Sequence, residues 1–393
     1  MNNSILPLFW LLFDILLAII SPYILIIRVI IGLLKDDKYI HISISIFFGF
    51  LGFYFIPSEE MDLYRHYEFY NLLKDTGINY YYQDIGLSYI FSVFAYFDVD
   101  QRWIAFLASF LFYFMLMKIS KINNIHNANV RILITLLLVF SFPIISTTGL
   151  RFTTAIAFFM YGVCLYEKCR SKSALIYICI SPLFHFSAFI FIILYASSHF
   201  LKPLINTKAT KKIIILTLFL FIGFSLQYIV DVLVSLISII NNYIFKKEVL
   251  SSSYLTGAWG VDRNDQLSFI GALFFNVKKL LIISIMFFSI KKVDKDLYPQ
   301  LSTFLFLLSV VCVSFFDFGT IFFRFGYVFL VMLIFVIAKD LKLSNKIAPI
   351  TVLICSYVVF SVLTDIYGSR EGLFLSYSNL FKVSLLSEFL SGK

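Results

Sequence analysis

Residues Ser146–Gly162 read STTGLRFTTAIAFFMYG: small and polar residues, one arginine, then a run apolar enough for lipid. A guanidinium keeps its charge at any accessible pH, so its place at the mouth of such a helix demands a counter-charge, water or a ligand. Which of these it meets depends on the compartment that the mouth faces, and therefore on how the whole chain is laid across the bilayer.

The 393 residues are 60% hydrophobic, 19% aromatic and only 14% charged, with a mean hydropathy of +0.91. That balance excludes a water-soluble core with a charged surface. Apolar runs suited to a helix of ~20 residues recur along the chain. They extend from Ile5 to Tyr367 and are parted by short charged clusters. The reading is an all-α polytopic integral membrane protein, a single domain over 1–393. The start, MNNSILPLFW, has no basic n-region and no small-residue cleavage site, and is expected to be a retained first span. Cys164, Cys169, Cys179, Cys312 and Cys355 lie in or beside apolar runs, with neither a disulfide framework nor a zinc spacing. The net charge of +9 is scattered between spans rather than gathered into a patch for nucleic acid.

Six lysine-rich clusters set the sidedness: Arg28 to Lys38, Lys118 to Arg131, Lys168 to Lys172, Lys202 to Lys212, Lys291 to Lys295 and Lys339 to Lys346. By the positive-inside rule all six are cytoplasmic. The outer segments are then Pro57 to Asp84, Ser146 to Arg151, Asn241 to Gln266, Asp317 to Thr320 and the tail after Tyr367, with the larger outer loops at 57–86 and 241–267. Ten to twelve crossings fit, the first over 5–27. Two stretches fit less simply. Gly86 to Phe97 is short for a crossing. ALIYICISPLFHFSAFIFIILY, at Ala174 to Tyr195, has basic clusters on both sides. A broken helix over 174–196, bent at Ser181-Pro182, keeps both of its ends inside.

With the sides assigned, the two basic residue types separate. The inner clusters hold sixteen lysines and three arginines, whereas Arg65, Arg151, Arg263, Arg324 and Arg370 fall in outer segments. A planar fork of donors suits phosphate oxygens, and a helix N-terminus attracts anions as well. Arg151, after Gly149 and beside Thr153, is therefore read as an anion-binding residue, and Arg324, in DFGTIFFRFGYVF, as a second that could approach the same anion. The competing reading for either is snorkelling or a structural ion pair with Asp62, Glu68 or Asp317.

SEEMDLYRHYEFYN, Ser58 to Asn71, is the densest set of ionisable groups. Asp62 with Arg65, and His66 with Tyr67 and Tyr70, could bind a sugar or move a proton, against the alternative of a solvated juxtamembrane loop with interfacial tyrosines. His185, among apolar residues, is either a hydrogen-bonded packing residue or a ligand-positioning or proton-transferring group. Lys278 and Lys279 interrupt a span and could contact phosphate or snorkel. GAWGVDRND, Gly257 to Asp265, presents Trp259 and Arg263 as acceptor contacts. Nucleotide-binding, zinc-protease and serine-hydrolase motifs are absent, and no metal or cofactor is expected.

Taken in order, GLRFTTAIAFFMYGVCLYEK, then PLFHFSAFIFIILY, the outer MDLYRHYEFY and the late FFRFGYVFLVMLIF resemble the EpsG family and the wider Wzy-type O-antigen and capsule polymerases, over roughly residues 57–340. The resemblance implies a GT-C-like helical fold and a metal-independent glycosyltransferase at the outer leaflet of a bacterial inner membrane, its active site facing the periplasm. Its substrate would be undecaprenyl-pyrophosphate-linked oligosaccharide, with membrane lipids and a chain-length regulator as further partners. Arg151, His185 and Arg324 match the family's motifs, and Asp62, Arg65 and Tyr67 match in the outer loop. Arg151, Arg324 and Arg65 are expected to bind pyrophosphate, while Asp62 and His185 compete for proton transfer, with Asp62 expected to activate the acceptor and His185 to belong to the donor pocket. Tyr67, Tyr70, Trp259 and Arg263 would then meet the acceptor sugar. Phe152 departs from the family's usual glutamine. The competing classes are a transporter or flippase of a lipid-linked or anionic solute and an outer-face acyltransferase.

Overall fold

The computed structural model describes residues 5–35, 37, 39–59, 61–79, 84–125, 127–142, 149–205, 208–226, 228, 230–245, 268–292, 298–338 and 348–368. They form helices and connecting turns, with no strand among the described residues. The chain divides into two compact units, Met1–Ile192 with Asp365–Lys393, and Ile193–Thr364.

In the first unit the opening apolar run is two helices, α1 (Ile5–Ile20) and α2 (Pro22–Lys35), rather than the single span expected over 5–27. Pro22 has no N–H to continue the first helix, yet its fixed φ suits the first turn of the second. Both lie against α3 (Ile40–Phe53). Between them Asp14 and Ser43 are fully buried and Arg28 nearly so. The Ser43 hydroxyl donates to Asp14, whose other oxygen is 3.4 Å from Arg28 Nε. Leu12, Leu16, Ile27 and Leu34 point outward, each more than half exposed. Polar groups inside and leucine outside is the arrangement that lipid, not water, favours.

Inside the segment 57–86 the charged run folds as α4 (Asp62–Thr76). Leu63, His66, Tyr67, Tyr70 and Leu73 recur at helical spacing and are all buried. Asp62 stands in the first turn and Lys74 in the last, matching the helix dipole. Gly77, at φ 73°, closes the helix in the left-handed region and donates its N–H to the Leu73 carbonyl. Residues of α5 (Ile85–Tyr96) and α6 (Arg102–Ile122) complete this core: Leu87 and Phe91, then Ile104, Ala105 and Ala108, with Leu150 closing it. Burying a leucine as fully as Leu63 contributes about 1.5–3 kcal/mol relative to exposure.

α7 (Ala128–Phe140) follows α6, and α8 (Leu150–Cys169) packs against both α6 and α9 (Ser173–Phe184). α9 runs through Pro182 and ends at Phe184, so the break before α10 (Ala188–Ile205) falls at His185 to Ser187 and not at Ser181-Pro182. Proline leaves the Ile178 carbonyl without its helical donor, and the Ser181 hydroxyl supplies one at 2.7 Å. His185 itself is extended, at φ −160° and ψ 127°.

The second unit holds the rest of α10 and then α11 (Ala209–Leu226), α12 (Val230–Ile239) continuing as a π-turn over Ile240–Phe245, α13 (Phe269–Lys292), α14 (Pro299–Ser314), α15 (Gly319–Ile337) and most of α16 (Ala348–Gly368). Lys278 and Lys279 are buried here, with Lys279 Nζ 4.7 Å from the Phe316 ring centre and Lys278 Nζ 5.5 Å from that of Phe323. Among the described residues five helices are long and apolar enough to cross a bilayer: Arg102–Ile122, Ala209–Leu226, Phe269–Ile290, Gly319–Ile337 and Ala348–Asp365. The protein is a multi-pass membrane protein.

Candidate functional site

In the first unit the starts of α4, α5 and α8 meet the end of α9. Leu150 is sunk in the core beneath α4, and the Thr153 hydroxyl donates to the Gly149 carbonyl at 2.7 Å, so the first turn of α8 is held from both sides. Arg151 follows directly, its side chain 27% exposed. Its Nη1 donates to Asp84 Oδ2 at 3.2 Å, and Nη2 lies 3.9 Å from Asp62 Oδ1. Asp62 Oδ1 also accepts from Arg65 at 2.7 Å, and Oδ2 is 3.3 Å from His66 Nε2. Asp84 Oδ1 is 3.6 Å from His185 Nδ1. The result is a continuous polar line, His66, Asp62, Arg151, Asp84, His185, flanked by Arg65.

Asp84 owes its position to the residue two places on. A Cβ on Gly86 would stand 3.1 Å from the Leu183 carbonyl oxygen and 3.4 Å from the Phe184 ring. Without one, the first turn of α5 approaches the last turn of α9 closely enough for the carboxylate to reach His185. The Phe152 ring meets His185 edge-on at 6.2 Å between centres.

Burial works against charge on Asp62, but the hydrogen bond and charge of His66, with Arg151 and Arg65, outweigh it and hold the carboxyl below the usual carboxylate range. Asp84 behaves alike: burial raises its pKa, while His185 and Arg151 bring it below the ordinary value. His66 is shifted downward, chiefly by burial, since Asp62 only partly compensates and both arginines add to the effect. Its imidazole is therefore neutral near pH 7 beside an ionised carboxylate.

Chemically this is a fixed guanidinium between two carboxylates, each of which also faces an imidazole. The carboxylates set the plane of the arginine fork, and each also has a histidine ring nitrogen within 3.3 or 3.6 Å. They also supply the counter-charge that the sequence demanded for Arg151. A guanidinium has five N–H donors in its fork, enough to meet carboxylates and a further anion. Among the described residues, no group of three or more His, Cys, Asp and Glu gathers as metal ligands would.

A family model for the EpsG family matches residues 38–379, nearly the whole chain. The chain belongs to the EpsG family. This is a polysaccharide polymerase-like family, so the protein has a polymerase-like, glycosyltransferase-type role in general. No curated protein and no solved structure matches the chain.

Of the residues singled out for this EpsG-family chain, the structure brings together Asp62, Arg65, Arg151 and His185. Tyr67 and Tyr70 lie under α4 in the core, at 7% and 1% exposure, and the Tyr70 hydroxyl donates to the Val99 carbonyl at 2.6 Å. Burial pushes the Tyr67 phenol well above its ordinary range. Arg324 is half-buried on α15, in the second unit. Trp259 and Arg263 lie outside the described residues. Asp84 was read from sequence only as the limit of an outer segment; the pattern Asp-Ile-Gly at a helix start, an N-terminal carboxylate followed by a close-packing glycine, is the signal that marks it.

Proposed function

We propose that this protein is a polysaccharide polymerase that transfers glycan from an undecaprenyl-pyrophosphate carrier to another lipid-linked repeat unit, at the outer leaflet of a bacterial inner membrane. The observation that carries the reading is the fixed guanidinium of Arg151 at a helix N-terminus, with proton acceptors on both sides. The donor's anomeric C–O bond breaks with its electron pair on pyrophosphate, so a positive group already in place stabilises charge as it develops, without a protein-bound metal. Arg65, exposed beside it, adds charge at the rim. A carboxylate or imidazole of the same line takes the acceptor hydroxyl proton as the new glycosidic bond forms. Tyr67 and Tyr70 support α4 from beneath in this reading. The lysine distribution supports placing these helix mouths on the periplasmic side.

A flippase would also present arginines outward, and the two roles separate in the lipid-linked intermediates of a deletion strain. Polymerase loss leaves single repeat units exposed at the outer leaflet or passed on singly. Their absence there, with units retained on the inner leaflet, would favour transport and overturn the polymerase reading.

A further inference from the structure

Asp84 is given no separate step above, yet it is 4% exposed and stands beside both Arg151 and His185. Its two oxygens face different partners, Oδ2 to the Arg151 fork at 3.2 Å and Oδ1 to the His185 ring at 3.6 Å. The partners come from the start of α8 and the end of α9, both far from Asp84 in the chain. The cost of burying a carboxylate here is met by both of them and by the absence of a side chain at Gly86, which permits the approach. A carboxylate that only neutralised Arg151 would not need its second oxygen aimed at an imidazole, nor α5 pressed against the Leu183 carbonyl.

We infer that Asp84 is the positioning residue of the reaction: it holds His185 with its proton on Nδ1, so that Nε2 is the basic nitrogen that receives the acceptor proton, while fixing the Arg151 fork that meets the leaving pyrophosphate. The inference rests on the polymerase reading for the reaction, and on geometry alone for the Asp84–His185 pair. In the step, the acceptor O–H gives its proton to His185 Nε2 and its oxygen bonds to the donor's anomeric carbon. The bond from that carbon to the pyrophosphate oxygen breaks, and the electron pair leaves with the pyrophosphate. The imidazolium then returns the proton to water. Asp62 remains ionised in its contacts with Arg65 and His66 and orients the acceptor side. Coupling base and anion-binder through one carboxylate places the proton acceptor and the leaving-group site at a set separation.

Among the described residues, Asp84 from the start of α5 faces His185 and Arg151 from α8 lies beyond it, while Phe152 presents its ring edge. A carboxylate beside an imidazole favours its protonated form. The experiment uses the full-length protein in lipid nanodiscs. Carbethoxylation of His185 by diethyl pyrocarbonate, followed by peptide mass spectrometry across pH 5–8, reads the imidazole without needing turnover. In Asp84→Asn the midpoint of reactivity should fall by about one pH unit relative to wild type. Asp75→Asn, which removes an exposed carboxylate near the far end of α4, should leave it unchanged. In Arg151→Gln, which removes the cation competing for Asp84, the midpoint should rise, and this variant decides the matter if Asp84→Asn does not fold. Turnover of lipid-linked units by Asp84→Asn should show the same downward shift in the acidic limb of kcat/KM. Coincident carbethoxylation curves for wild type, Asp84→Asn and Arg151→Gln, or an unmoved acidic limb at a merely lower rate, would overturn the inference. Lack of polymer from wild-type protein would instead count against the polymerase reading, while the carbethoxylation curves would still decide the role of Asp84.

Discussion

Asp84 Oδ2 and Arg151 Nη1 lie 3.2 Å apart although 67 positions separate them in the chain. The pair ties the start of α5 to the start of α8, and through His185 to the end of α9. Charge, packing and the proposed chemistry therefore depend on one another here.

The arginine should not be replaceable by lysine. An ammonium keeps the charge but cannot span Asp62, Asp84 and an anion with a planar fork. Arg151→Lys is expected to lose long-chain polysaccharide nearly as completely as Arg151→Ala, measured at equal protein abundance. Wild-type chain length in the lysine variant would show that charge alone suffices.

Packing at the α5–α9 contact should govern the site from a distance. A leucine at Gly86 must displace the Leu183 carbonyl or the Phe184 ring, and overpacking of this kind costs about 1–3 kcal/mol. Gly86→Leu should lower the thermal midpoint in detergent and reduce turnover more than it reduces stability, because it moves Asp84 off His185. Full activity at a lowered midpoint would uncouple the contact from the site.

Acid should weaken the fold in two stages of the same sign. His66 has a folded pKa below its ordinary value of about 6.5. The unfolded chain therefore takes up a proton first, and stability falls as pH drops below about 6.5. Asp62 and Asp84 have folded pKa values below the ordinary carboxylate value of about 3.9. Their stabilisation is present in full above that value and is lost only as pH falls further, toward the folded values. Thermal midpoints measured from pH 7.5 to 5 should decline in wild type and decline less in His66→Gln. The penalty of Asp62→Asn should hold or grow toward pH 5, because the carboxyl stays ionised and its loss removes the partner that raises the His66 pKa; a penalty that shrinks between pH 7 and 5 would contradict the assignment.

How much of this was legible beforehand differs by residue. Arg151 and His185 stand out because a charged or polar group in an apolar run is costly and visible in one dimension. The helical character of Asp62–Thr76 was harder to see, because the run is polar in bulk and only the spacing of Leu63, His66, Tyr67, Tyr70 and Leu73 reveals a buried face. Asp84 was one carboxylate among several in an outer segment. Its distinction lies in two contacts, one across 67 positions, that no local pattern records. Pro22 and Pro182 show the opposite limit. One ends a helix and the other is carried through it, because Ser181 replaces the missing donor for Ile178.

The proton-transfer roles can be separated by comparing Asp62→Asn with His185→Gln. Asp62, held ionised by its neighbours, is a weak base, so Asp62→Asn should keep a measurable rate with an unchanged acidic limb and a raised KM for the acceptor. His185→Gln should bind lipid-linked donor yet lose turnover by two orders of magnitude or more, since general base catalysis contributes about 10²–10⁴-fold. The reverse pattern would exchange their roles.

The central claim is that this protein joins lipid-linked repeat units around the Arg151 site. Its most direct measurement is incubation of the purified, nanodisc-embedded protein with undecaprenyl-pyrophosphate-linked oligosaccharide, following glycan length and released undecaprenyl pyrophosphate together. The account predicts a ladder of lengthened glycan with one carrier released per bond formed by wild type, and neither product from Arg151→Ala. Single units remaining unjoined with wild-type protein, or an undiminished ladder from Arg151→Ala, would contradict it.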